Sequence, residues 1–203
     1  MIRVTIWNEF YHEKEIGKAK EIYPQGIHNY LKGVLETEED FAVRTATLDE
    51  PEHGLTEEVL NDTDVLMWWG HMKHQLVQDE IAERVHKHVL MGMGFIAMHS
   101  AHASKPFTKM LGTSGSLKLP EHIELPLEEM YGEPFDIPEP DELVYIGWFA
   151  GGGGIRPGCT FHRGYGRIFY FQPGHEEYPV YKNEMIQQVL KNGIRWANPV
   201  SRR

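Results

Sequence analysis

The chain has 203 residues, which suits one domain with a substantial core. Its 20 basic and 30 acidic residues give a formal charge of −10. That balance argues against nucleic acid and anionic membranes as partners, because phosphate recognition needs clustered Lys and Arg. The single cysteine, Cys159, excludes an intramolecular disulfide and a CxxC zinc ribbon, and the 12 histidines are the count that needs explaining.

Ile2–Trp7 alternates apolar positions and predicts a first strand, followed by the polar Asn8, Glu9 and His12. Pro24–Leu35 carries a helical stripe of Ile27, Tyr30, Leu31, Val34 and Leu35. Phe41–Thr47 predicts a second strand, and Thr56–Leu60 a short helix capped by Thr56. Asp64–Trp69 is a strongly apolar third strand. Asp79–Leu90 repeats Ile81, Val85 and Val89, so it predicts a helix with one buried face. Phe95–His99 is a fourth strand. This alternation implies a parallel sheet with helices on both faces. Leu117–Tyr131 and Leu143–Phe149 read as strand-like segments, with Pro134–Asp141 as a loop between them. Cys159–Arg163 and Arg167–Phe171 flank Gly164-Tyr165-Gly166, a hairpin signal. Pro179–Ala197 is the last helix. The predicted fold is one α/β domain over 1–203: three layers, doubly wound and flavodoxin-like, with a mostly parallel sheet and an antiparallel C-terminal hairpin. No apolar run approaches the roughly 20 residues of a membrane helix. The N-terminus has no long apolar segment of the secretory kind. The expectation is a cytoplasmic protein with no membrane partner.

Ligands of open α/β sheets bind at the carboxyl ends of the strands. Six of the 12 histidines follow predicted strand ends: His12, His71, His74, His99, His102 and His175. If those ends share one rim, imidazoles and carboxylates converge there. Neutral imidazole binds zinc and other divalent metals, and it also exchanges protons near neutral pH. His99 and His175 are the leading candidates, with His71 and His102 behind them; His12 and His74 are expected to be structural. His86 and His88 are expected on a solvated helix face. His28, His53, His122 and His162 have no strand-end context. Gly151–Gly154 lacks the helix or GK[ST] that a phosphate cradle needs, so it reads as a surface loop. Trp68-Trp69 reads as core, with one ring able to reach the cleft, and Cys159 as a packing residue.

VTIWNEFYHEK (Val4–Lys14), DVLMWWGHMKH (Asp64–His74), GFIAMHSAH (Gly94–His102), EEMYGEPFDIPEPDELV (Glu128–Val144) and GRIFYFQPGHEEYP (Gly166–Pro179) together resemble the ThuA-like, or trehalose utilization, family, whose fold is similar to class I glutamine amidotransferases. Val43–Leu60 extends the likeness, so it spans most of the chain. The amidotransferase comparison puts His99 where that fold carries its cysteine nucleophile, which closes the thioester route of glutamine hydrolysis. The resemblance implies a role in catabolism of trehalose-type disaccharides, including keto derivatives, and recurrent polar positions at His99, Glu129, Tyr131 and His175. Family members usually carry a longer stretch between Gly112-Thr113-Ser114 and Glu128; here only Gly115 to Leu127 intervenes.

Three functions compete. The first is an enzyme of sugar catabolism, a hydrolase or isomerase. It would have His99, His175 and Glu129 as catalytic groups and Glu9, His71, His102, Tyr131 and Trp69 as substrate contacts. Zinc or another divalent metal would sit on His99, His175 and His71. The second is a non-catalytic sugar-binding protein that stacks its ligand on Trp7, Trp68 or Trp69. The third is a serine hydrolase using Ser100, Asp136 or Asp141, and His175, in the chain order of α/β-hydrolases but without the flanking glycines. Partners are a small sugar substrate and, since compact α/β chains often dimerise, a second copy of the chain.

Overall fold

The computed structural model describes residues 1–114, 117–118, 128–129, 131–149 and 153–199. In chain order the elements are β1 (Ile2–Asn8), α1 (His12–Glu15), α2 (Gly17–Ile22), α3 (Ile27–Leu35), β2 (Phe41–Thr47), α4 (Glu57–Asn61), β3 (Val65–Trp69), α5 (Asp79–Leu90), β4 (Gly94–Met98), α6 (Lys105–Leu111), β5 (Leu117–Lys118), β6 (Gly132–Phe135), β7 (Glu142–Trp148), β8 (Gly154–Arg163), β9 (Gly166–Phe171) and α7 (Glu184–Ala197). Seven strands form one sheet in the order β2-β1-β3-β4-β9-β8-β7. The first five run parallel and β8 runs antiparallel to both its neighbours, while β5 and β6 make a small separate pair.

All residues of β3 and β4 are buried, as strands covered on both faces should be. Leu66, Trp68, Phe95 and Ala97 face Leu60 of α4, Ile81 and Val85 of α5, and Phe107 of α6. Val65, Met67, Trp69, Ile96 and Met98 face Ile27 and Leu31 of α3 and Leu190 and Ile194 of α7. Each fully buried Leu or Ile contributes about 1.5–3 kcal/mol, so both helical layers are held mainly by these stripes. Thr56 caps α4 by accepting the Val59 N–H, as expected.

The doubly wound α/β fold and the hairpin of β8 and β9 match the sequence reading; several boundaries do not. α1 and α2 carry no clear apolar stripe and were not expected. The first long helix starts at Ile27 rather than Pro24, because Gly26 adopts φ +88° and breaks the approach. β6 takes in Pro134 and Phe135, so the Pro134–Asp141 loop begins later. Among the described residues of Leu117–Tyr131, Leu117–Lys118 is strand; residues 119–127 and 130 lie outside the described residues. β8 begins at Gly154, at the end of the expected glycine loop, whose residues 151–152 also lie outside. The last helix begins at Glu184, where Asn183 caps it, after a separate turn at Val180–Lys182. His88 is buried, not solvated. It lies seven residues after Ile81 and three after Val85, on the same helical stripe, and it meets Glu57 at 3.1 Å. No helix among the described residues is long and apolar enough to cross a membrane.

Candidate functional site

The sheet order reverses at β1, which has β2 on one side and β3 on the other. The ends of β1, β3, β4 and β9 therefore open on one rim, where an α/β sheet offers its crevice. Glu9 and His12 follow β1, His71 follows β3, His99 follows β4, and His175 and Glu176 follow β9.

His99 is the first residue after β4 and has φ +51°. A non-glycine residue in this left-handed region costs about 1–2 kcal/mol, and such strain gathers at functional sites. Its Nδ1 lies 3.1 Å from the Gln172 carbonyl, so that nitrogen carries the proton and Nε2 presents its lone pair to the cleft. The Tyr131 hydroxyl stands 3.1 Å from Nε2 and 2.5 Å from Ser100 Oγ. Trp69 stacks on the His99 ring at 6.4 Å and donates its indole N–H to the Gly174 carbonyl. Being fully buried, Trp69 backs the site and offers no open stacking face.

His71, His99, His175 and Glu176 form one group, each offering a ligand atom within 4.8 Å of the others. His71 Nδ1 lies 3.2 Å from Glu176 Oε2, and His12 Nε2 lies 3.3 Å from Glu176 Oε1. On its other side His12 faces Glu9 Oε1 at 3.5 Å, and its ring stacks on His71. Glu9, 2% exposed, accepts the backbone N–H groups of His71, Met72 and Lys73 at 2.9, 2.9 and 3.0 Å. Glu128 grips the opposite loop, accepting the N–H groups of Gly174 and His175.

Burial pushes the Glu9 and Glu176 carboxyls up. It is outweighed in Glu9 by His12 and the three backbone donors, and in Glu176 by His71, His175 and His12, so both sit at about 2. Burial also pulls at His71, yet Glu176, Glu129 and Glu9 lift it above the ordinary histidine value. His175 is lowered, because burial outweighs its carboxylate neighbours. Its Nδ1 accepts the Glu177 N–H at 3.1 Å, which leaves the ring proton on Nε2. Glu129 Oε2 is buried with no hydrogen-bond partner, 3.5 Å from His99 Nε2 and 3.7 Å from His175 Nε2.

The structure thus brings His71, His99, His175, Glu129, Tyr131 and Trp69 to one rim, with Glu9 beneath it. His102 packs edge-on against Tyr131, Phe135 and Tyr170, behind the tyrosine and outside the four-residue group. His12, expected to be structural, is 1% exposed between two carboxylates at the site. Glu176 stands next to His175 in sequence and was not singled out. The charge balance gave no sign that either would be buried. The serine hydrolase arrangement is not assembled: Ser100 pairs with Tyr131, Asp136 with Ser114, and Asp141 with His162. Trp7 and Trp68 stack on each other in the core at 3.9 Å and are closed to a sugar. Cys159 is fully buried, its thiol pushed up to about 12 by burial, as a packing residue should be.

Two solved structures share the fold. A cytoplasmic protein, STM1381 from Salmonella typhimurium LT2, superposes with a TM-score of 0.55 at 11% identity, covering 97% of this chain and 100% of that one. Gan42B, a GH42 beta-galactosidase, gives a TM-score of 0.51 at 12% identity over 98% of this chain and 31% of its own. No curated protein sequence matches the chain. The trehalose utilisation family, ThuA, matches residues 3–118 and 116–197, and with nearly the whole length covered the chain belongs to that family.

Proposed function

We propose that this protein is an enzyme of disaccharide catabolism, acting on a sugar or keto-sugar through the His/Glu rim with a divalent metal such as zinc. The observation that carries the reading is Glu129 Oε2, a buried acceptor with no partner between the Nε2 atoms of His99 and His175. An orphaned buried acceptor costs about 1–3 kcal/mol, a cost that an entering cation or hydroxyl donor would relieve.

The donor set fits a divalent cation. His99 and His71 carry their protons toward Gln172 and Glu176, which leaves the Nε2 lone pair of His71 for a ligand, and that of His99 once the Tyr131 hydroxyl 3.1 Å away turns aside. Glu176 adds a carboxylate held ionised, and the field that lifts His71 is one in which a cation displaces a proton. His175 fits less well as a ligand, since its free nitrogen bears the proton; its geometry is that of a proton donor. A bound divalent metal would supply Lewis acidity to a sugar carbonyl or hydroxyl. His175 would hold a proton at Nε2 for the departing or enolising oxygen, with Glu129 accepting opposite it. Tyr131 and Ser100 would orient a sugar hydroxyl beside His99. Glu9 and His12 would touch no substrate, but hold the His71 loop and Glu176 in place.

The test combines elemental analysis of untagged protein with product analysis on disaccharides and their keto derivatives, for the wild type and His99→Ala. One metal per chain and turnover in the wild type, both lost in the variant, are expected. No stoichiometric metal in either protein overturns the metal reading. Calorimetric binding of a disaccharide without turnover overturns the enzyme reading in favour of a sugar-binding protein on the same rim.

A further inference from the structure

We propose that the outer strand of the sheet, β7, is the contact surface of a symmetric dimer whose second member is another copy of this chain. β7 closes one edge of the sheet and pairs only with β8 among the described residues. Leu143, Val144, Tyr145, Ile146 and Trp148 are 45, 42, 40, 62 and 79% exposed, so both rows of the strand are open. The opposite edge is built differently: β2 carries Arg44, which pairs with Asp62, and Phe41 and Ala46 are buried. Charges of that kind blunt an edge against association. β7 has no charged residue and no proline between Glu142 and Trp148.

The occupant follows from symmetry, charge and area. A twofold axis across an edge strand sets it antiparallel to itself, so one apolar strand is its own complement. Two chains of −10 each repel over most of their surface, and the stretch of β7 after Glu142, which carries no charge, is where they can meet. The exposed side chains amount to roughly 500 Å² per chain, or about 1,000 Å² in a pair, the floor for a specific interface. A groove of about 170 Å³ between β7 and α7, lined by Val144, Tyr145, Phe169, Val189 and Trp196, adjoins the strand and gives a large apolar side chain somewhere to seat. Register irregularities at Leu143/Tyr145 and Tyr145/Gly147 kink β7, so the copies engage through side chains as well as backbone.

Sedimentation velocity at tens of micromolar tests this on the wild type, Ile146→Lys, Trp148→Lys and the conservative Ile146→Val. The expected result is a wild-type species of twice the 23.5 kDa chain mass, retained in Ile146→Val. Each lysine variant should dissociate at least tenfold more readily while keeping its far-ultraviolet circular dichroism and a cooperative unfolding transition. A monomeric wild type, open-ended aggregation, or a dimer that survives both lysine variants would overturn the proposal.

Discussion

At the carboxyl ends of β1, β3, β4 and β9, the ionisable residues Glu9, His12, His99 and Glu176 are 0–2% exposed; at the far edge, Ile146 and Trp148 are 62 and 79% exposed. Each region departs from the ordinary partition of polar outside and apolar inside, in opposite senses. The rim tolerates buried charge because imidazoles alternate with carboxylates from Glu9 through His12 and Glu176 to His71. Its parts depend on one another, and removing one strands the next. The β7 edge has no such dependence: Tyr145 packs on Gly158 and Phe171, but Ile146 and Trp148 stand mostly in solvent. Buried polar residues should therefore govern stability as a unit, whereas exposed apolar ones should govern association and leave the fold alone.

The largest expected effect is from Glu176→Ala, which leaves His12 and His71 without their shared carboxylate. Breaking a buried ionic pair costs about 3–5 kcal/mol, measurable by urea denaturation, and metal affinity should fall at least 100-fold. A variant as stable as the wild type would show that the rim is not interdependent. Glu9→Ala strands the N–H groups of residues 71–73 and should cost about 3 kcal/mol. For a chain of this length that lowers Tm by about 6–12 °C.

The pH dependence separates the regions further. Glu9 and Glu176 sit at about 2, below the ordinary 4.5. Their contribution is full above the unfolded value and lost as pH falls from about 5 toward 2. His28, buried and lowered to about 4, binds its proton more readily unfolded, so it adds a loss between about 6.5 and 4. Urea midpoints should fall through both windows, and His28→Gln should reduce the fall only in the upper one, to which the lowered His175 also contributes. Cys159, pushed up to about 12, should resist Ellman's reagent at pH 8 in native protein and react stoichiometrically in denaturant. The smallest effect on the fold is expected at the edge: Ile146→Lys should change unfolding of the isolated chain by no more than about 0.5 kcal/mol. A larger loss would mean that β7 belongs to the core.

The parallel half of the sheet was legible because the all-apolar runs of β3 and β4 and the Ile81, Val85, Val89 stripe are local patterns with fixed periods. His99, His175, His71, Glu129 and Tyr131 were legible by the strand-end rule and by family resemblance, and the structure gathers them on one rim. Glu176 was not, and His12 follows a strand end but reads as structural. Their importance lies in facing each other at 3.3 Å across 164 residues of chain, which no spacing rule expresses. β7 was read as an ordinary strand, and its outer position is decided by sheet order. Gly158 of β8 has Tyr145 packed against it so closely that a Cβ would lie 2.3 Å from that ring, a fit invisible along the chain.

Sequence alone determined the layered α/β fold, the absence of a thiolate at the β4 turn and the family, because these depend on periodicity, residue identity and local motif. Tertiary structure decided which carboxylate holds which imidazole, which histidine nitrogen carries the proton, and which strand is left uncovered. Those depend on which residues distant in the chain come within a few ångströms, and that is set by the order in which strands pair.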